Sequence, residues 1–291
     1  MSDIFISRRG AVLSGLAAAG ALAACAPGRP KGAAPPKTLE AAVAGSWRAP
    51  ADKARDVYRH PLQSLQFWGL KPGQTVVEFW PGAGWYTDIV APYLAATGGK
   101  FYAADLQAPD AEGRTLDEAY RHKLAASPGL YGKVNLTAFG ATSGPVAPAG
   151  TADLVLFLRN LHNWMAAGLA EKAFRDAFAA LKPGGVLGVE EHRADPAAVP
   201  DVLAQSGYVA QAYVVKLGQE AGFQLAAASE INANPKDDHN HPFGVWTLPP
   251  VRRSSAPGQP PDPGFDRAKY DAVGESDRMT LKFVKPGSQN G

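Results

Sequence analysis

The chain has 291 residues, of which 46% are apolar and 19% charged, with a formal net charge of +2. That is ordinary globular material, enough for one domain of about 200–250 residues with appendages. The basic residues are scattered and form no run, which excludes a nucleic-acid partner.

Residues 1–25 differ from the rest. SDIFISRRG precedes AVLSGLAAAGALAAC, a charged region followed by a short stretch of small apolar residues. This is the pattern of a secretory signal and is too short for a comfortable membrane span. Ser7-Arg8-Arg9 with Val12-Leu13 resembles the twin-arginine export signal, with Ala11 in place of the usual aromatic. Leu22-Ala23-Ala24-Cys25 resembles a bacterial lipoprotein box, which implies that Cys25 becomes a lipidated first residue. A plain signal peptide is the alternative. Cys25 is the only cysteine, so disulfides and thiolate metal sites within the chain are excluded. The expected organisation is a signal with lipobox over 1–25, a Pro/Gly/Ala tether over 26–37, and one domain over 38–291. The expected location is periplasmic, on a membrane, through the lipid anchor.

Residues 38–70 carry helical signals broken at Pro50 and Pro61, and read as a cap packed on the main core. TVVEFW (75–80) reads as a buried strand, and 85–96 as a helix with a kink or break at Pro92. KFYAAD (100–105) is a second strand, 115–126 a helix, and KVNLTAF (133–139) a third strand. ADLVLFL (152–158) is nearly all apolar, as a parallel strand buried on both faces must be. AEKAFRDAFAAL (170–181) is an amphipathic helix stopped by Lys182-Pro-Gly-Gly185, and VLGVEE (186–191) is a fifth strand. A helix over 199–221, a strand over 223–231 and a final strand over 279–285 complete the set.

The alternation predicts a doubly wound α/β sheet of seven mostly parallel strands. No helix is evident between the last two strands, which predicts an antiparallel final strand at the edge. Residues 232–278 show no regular element and read as an irregular lid.

Glu78 ends the first strand, and Gly82 and Gly84 form a tight turn into the following helix. Such a turn presents free N–H groups to an anionic group. The dinucleotide fingerprint needs a third glycine where Thr87 stands, and fails. The stretch resembles motif I of the class I S-adenosylmethionine-dependent methyltransferases, (D/E)-x-G-x-G-x-G, with Trp80 at the first glycine position. Three further marks support the resemblance over roughly 65–231: Asp105 closing the second strand, Ala152-Asp153 opening the fourth, and Leu181-Lys-Pro-Gly-Gly185 before the fifth. The resemblance implies a Rossmann-like fold with S-adenosylmethionine as cofactor. Glu78, Gly82, Gly84 and Asp105 would hold it, with Asp105 on the ribose hydroxyls and the helix N-terminus near the methionine carboxylate. Trp80 is expected to keep extended backbone and wall the pocket, or else to fill the methionine slot.

The implied activity is methyl transfer to a small molecule, a reaction that needs alignment and, for a hydroxyl acceptor, a base. Arg159-Asn160-Leu161-His162-Asn163-Trp164 resembles the Leu-His-Asp-Trp stretch of small-molecule O-methyltransferases, which makes His162 the candidate base. The alternative is a histidine that merely packs under Trp164. Asn160, Trp164, Glu190 and His192 are candidates for the substrate face. Asp237, Asp238, His239 and His241 invite a metal, but no further ligand is pinned by spacing and none is assigned. Strand three ends Phe139-Gly-Ala-Thr142, without the acid or amide that often meets adenine. With Trp80, this leaves a second possibility, a non-catalytic ligand-binding or structural lipoprotein on the same fold.

Overall fold

The computed structural model describes residues 35–107 and 111–287. The export signal and the Cys25 box lie outside the described residues. Four short helices open the chain: α1 (Leu39–Val43), α2 (Pro50–Lys53), α3 (Asp56–Arg59) and α4 (Pro61–Trp68). Then follow β1 (Thr75–Phe79), α5 (Thr87–Thr97), β2 (Lys100–Leu106), α6 (Ala111–Ala126), α7 (Pro128–Tyr131) and β3 (Val134–Phe139). The second half contains β4 (Ala152–Leu158), α8 (Leu161–Ala166), α9 (Ala170–Ala180), β5 (Leu181–His192), α10 (Gln211–Glu220), β6 (Gln224–Ser229), α11 (Ala268–Val273) and β7 (Arg278–Val284).

The strands form one sheet in the order β3-β2-β1-β4-β5-β7-β6. β1 to β5 pair in parallel, and β7 runs antiparallel to both β5 and β6. The doubly wound architecture is as expected, and so is the direction of the final strand. Its position is not. β7 lies inside the sheet, between β5 and β6, and β6 takes the edge. Burial explains this: Met279, Leu281 and Phe283 of β7 are fully buried, whereas β6 is alanine-rich and largely exposed. The strand with more apolar surface gains more from two neighbours.

The order reverses between β1 and β4, so their carboxyl ends open the crevice where doubly wound folds bind ligands. Val77 and Phe79 face a core shared with Phe157, Trp164 and Phe174, on the side of α8 and α9. Val76 faces the opposite core, with Trp68, Ile89 and Leu94 on the side of α4 and α5. Alternation along β1 therefore turns Glu78 toward α5.

The cap is anchored by its tryptophans. Pro50 and Pro61 each stand at the first turn of a helix, where the missing N–H costs nothing, so they open α2 and α4. The Trp68 indole donates to Leu281 O at 3.0 Å. Pro92 sits inside α5, which continues through it as one element. A proline there leaves the carbonyl four residues earlier, that of Asp88, without its helical donor. The Trp47 indole N–H donates to Asp88 O at 2.7 Å and fills that vacancy from the cap.

Two segments differ from expectation. Of the helix expected over 199–221, only Gln211–Glu220 forms. The Asp201 carboxylate takes the N–H groups of Leu203 and Gln205, and Ala204 and Gly207 adopt positive φ, so the first half is a chain of turns. Residues 232–278 are irregular, as expected, apart from a 3-10 turn at Gly244–Thr247 and α11. The segment is nonetheless pinned to the body. Buried Asn232 donates to Ser64 and Thr280 side chains, and buried Asp237 accepts from Tyr208 and the Asp277 N–H.

Candidate functional site

The turn after β1 carries the first group of candidates. Gly82 and Gly84 have φ of 57° and 82°, and Trp80 has φ of 46°. The expectation of extended backbone at Trp80 is thus corrected: the position needs left-handed backbone, which is what glycine supplies without penalty. A tryptophan there costs about 1–2 kcal/mol locally. Trp80 N–H donates to Ala104 O at 2.9 Å, its indole donates to Phe139 O at 2.9 Å, and Asn160 Nδ2 donates to its carbonyl at 3.0 Å. Its ring packs edge-on against Trp164 at 5.8 Å, on the opposite side of the sheet from Glu78. A side chain at Gly84 would press on Tyr120 and Lys123, at 3.0 and 3.2 Å from a built Cβ. Lys123 also donates to Ala83 O at 2.9 Å and Asp88 at 2.7 Å, fixing the turn from α6.

Glu78 is buried and accepts from the Thr87 hydroxyl at 3.0 Å, which in turn meets Tyr120 OH at 3.0 Å. Burial pushes its carboxyl up to about 7, against the opposing pull of Thr87 and Arg159. Asp105 lies at the carboxyl end of β2, also buried. Its Oδ1 accepts the Leu106 N–H at 2.9 Å, and its buried Oδ2 has no hydrogen-bond partner. Burial, and then the Asp117 carboxyl beside it, push Asp105 up to about 7. A buried acceptor without a donor is costly unless a ligand supplies one. The donor set fits a cofactor with ribose hydroxyls: a free acceptor at Asp105, a left-handed turn without side chains at 82 and 84, and an acid at 78.

The second group lies past β4 and β5. His162, in the first turn of α8, is buried. Its Nδ1 lies 3.0 Å from Glu191 Oε1, and Glu191 Oε2 accepts the Leu161 N–H at 2.6 Å. Glu191 also takes the His192 N–H at 2.8 Å. His192 is partly buried, with its ring 5.3 Å from that of His162 and its Nδ1 2.5 Å from Ser276 Oγ. Burial, and then the neighbouring His162, hold His192 well below its ordinary value. Trp246, from the irregular segment, closes against His162 at 5.9 Å between rings.

Three candidate substrate residues sit elsewhere than expected. Trp164 is wholly buried among Phe79, Phe139 and Phe157. Asn160 is spent on the Trp80 and Leu158 carbonyls. Glu190 is wholly buried under Tyr86, Arg159 and Arg278, at 3.1, 3.0 and 3.1 Å. Each is an apolar anchor or a partner of neighbouring polar groups, so they shape the site from behind. Among the 237–241 residues, Asp237 already accepts from Tyr208, His241 and the His239 N–H.

Sequence reasoning missed Thr87, Tyr120, Glu275 and Arg278, and gave Glu191 and Arg159 no role. Thr87 was in view as the residue that breaks the dinucleotide fingerprint. Glu275 and Arg278 reach the site from 200 residues away in the chain, and no local pattern marks them.

No family model matches the chain, and no curated protein matches its sequence. Solved structures do resemble it. The [4+2]-cyclase SpnF is 16% identical over 84% of each chain, with a TM-score of 0.51. A chain from the complex of the Haloferax volcanii Trm112 methyltransferase activator with the putative methyltransferase is 16% identical, over 86% of this chain and 98% of that one, at 0.50. Geranyl diphosphate C-methyltransferase of Streptomyces coelicolor A3(2) is 12% identical over 84% of each chain, also at 0.50. At these identities the likeness is one of architecture, and the chain has the methyltransferase Rossmann-like fold.

Proposed function

We propose that this protein binds S-adenosylmethionine at the carboxyl ends of β1 and β2 and methylates a small molecule. The observation that carries the reading is the partnerless, buried Asp105 Oδ2 beside a turn that keeps left-handed backbone at 80, 82 and 84. Asp105 would accept from the ribose hydroxyls, with Glu78 and the Gly82–Gly84 turn lining the remainder. The bound cofactor supplies an electrophilic methyl group. The solved S. coelicolor structure is titled as a complex with S-adenosyl-L-homocysteine, which agrees with this use of the fold.

The chain's own residues supply alignment and a proton acceptor. With Glu191 ionised, His162 Nδ1 carries the proton and Nε2 presents a lone pair to an acceptor hydroxyl. His192, held neutral, stands beside it and adds no competing positive charge. Trp246 screens His162 from one side. Screening extracts from the source cell for an acceptor with methyl-labelled S-adenosylmethionine tests the reading. Labelled product with the parent, lost with His162→Gln, supports it; product unchanged in that variant removes His162 as the base.

The second reading, a ligand-binding protein without catalysis, rests on Trp80, whose indole spans from the end of β1 to Phe139 at the end of β3. The neighbour titled as a cyclase shows that the architecture serves other chemistry. We further propose, from the sequence, periplasmic membrane anchoring through lipidated Cys25. Cys25→Ser should move the protein to the soluble periplasmic fraction, and unchanged membrane association would sink this.

A further inference from the structure

Behind the motif turn lies a buried network of charges that does not balance. Glu275 accepts from Arg55 at 2.6 Å, Arg59 at 3.0 Å and Arg278 at 2.7 Å. Glu190 pairs with Arg159 at 3.0 Å and with Arg278 at 3.1 Å. Four guanidinium groups thus share two carboxylates. Arg278 joins the halves and also donates to the Tyr58 carbonyl. Arg48, which stacks on Trp85 beside Arg59, has its own partner in Asp56.

Removing unpaired charge from water is expensive, so a surplus of this kind calls for a counter-ion. The nearest further carboxylate is Glu78, within electrostatic reach of Arg159. With Glu78 ionised the network still holds one positive charge in excess, the amount that a single carboxylate neutralises. Nitrogens without a hydrogen-bond partner mark the place. Arg55 Nη2 and Arg159 Nη1 are both buried and unpartnered. Each side chain still reaches the surface, with 23% and 14% of its area exposed, so a ligand can approach. The two repel one another, as groups waiting for an intervening anion do. Arg159 also lies over the Tyr86 ring at the start of α5 and stands three residues before His162, so the surplus borders both halves of the candidate site.

We propose that Arg55 and Arg159 form a subsite for the carboxylate of a bound small molecule. A guanidinium fork suits a carboxylate through two parallel hydrogen bonds. This deepens the methyl-transfer reading and rests on it for the identity of the ligand. The carboxylate belongs either to the methionine portion of the cofactor or to the methyl acceptor. In the first case the arginines, rather than the N-terminus of α5 alone, receive the cofactor's acidic end.

Calorimetry on the full chain separates the sources. One arm compares S-adenosylmethionine with its decarboxylated analogue. The other titrates benzoate, alone and with S-adenosylhomocysteine present. If the cofactor's carboxylate fills the subsite, the parent prefers S-adenosylmethionine over the decarboxylated form by at least about tenfold, and Arg55→Gln abolishes that preference. If the acceptor's carboxylate fills it, benzoate binds saturably beside S-adenosylhomocysteine and Arg55→Gln weakens it by a similar factor. Arg55→Lys keeps the charge without the fork and should retain part of the effect, which guards against loss through misfolding. Equal affinity for the two cofactor forms together with no benzoate binding overturns the proposal, as does either effect surviving Arg55→Gln. Failure of every adenosyl ligand to bind would instead refute the methyl-transfer reading, while benzoate alone still decides the subsite.

Discussion

Glu191 holds His162 from two directions. Its Oε1 faces the imidazole Nδ1 at 3.0 Å, and its Oε2 takes the Leu161 N–H at 2.6 Å at the start of α8. One carboxylate on β5 thus fixes both the ring and the helix that carries it. Glu191→Gln keeps one acceptor oxygen and loses the charge. We predict at least about a tenfold fall in methyl-transfer rate, within the range general-base catalysis supplies. Nitrogen NMR of His162 should show the Nδ1–H tautomer weakened. An unchanged tautomer with an unchanged rate would leave Glu191 as a helix cap only.

Asp105 and Glu78 give a pH prediction. Both carboxyls are raised to about 7 in the folded state, so folding takes up protons between their ordinary values near 4 and about 7. Their contribution to stability is fully present below that window and is lost as pH rises through about 7. Asp105→Asn should therefore stabilise the ligand-free protein by about 1–2 kcal/mol at pH 8, and little at pH 4. Depressed groups act oppositely at lower pH: Asp277 is held down despite burial by His239 and Arg193. The test is therefore the difference between variant and parent in urea unfolding at each pH. A difference independent of pH would contradict the buried, ligand-free Asp105.

The Trp47–Pro92 relation offers a test of the cap. Trp47→Phe removes the donor to Asp88 O and should cost about 1–3 kcal/mol. Pro92→Ala restores a helical N–H to the same carbonyl, so Trp47→Phe should cost less in that background. Additive costs in the double-mutant cycle would mean that the indole does not serve the carbonyl vacated by proline.

Trp80→Gly relieves left-handed strain but removes packing against Trp164 and the bond to Phe139 O. Because the ring lies across the sheet from Glu78, we predict a net loss of stability of about 1–3 kcal/mol, with cofactor affinity unchanged or weakened. Measured by calorimetry beside thermal unfolding, a gain of binding that the parent lacks would favour the non-catalytic reading.

The alternation of apolar strands with amphipathic helices was enough to read the sheet, because each strand's burial is written in its own residues. The place of β7 was not legible: strand order depends on which neighbours bury most area, a property of pairs. The same division holds in the site. Glu78, Gly82, Gly84 and Asp105 sit at strand ends where a local motif marks them. The Glu191 grip on His162 and the Glu275–Arg278 network join residues distant in the chain. Trp164 and Glu190 looked exposed in sequence because they follow or end strands, yet an aromatic cluster and two arginines enclose them. The left-handed backbone at Trp80 was hidden because tryptophan is the wrong residue to advertise it.

The central claim is that the crevice at β1 and β2 holds S-adenosylmethionine through Asp105. Isothermal titration of the parent and Asp105→Ala with S-adenosylmethionine tests it most directly. The account predicts saturable binding to the parent and a loss of about 1–3 kcal/mol, roughly 5- to 150-fold in affinity, in the variant. No binding to the parent, or equal binding to both, would contradict it.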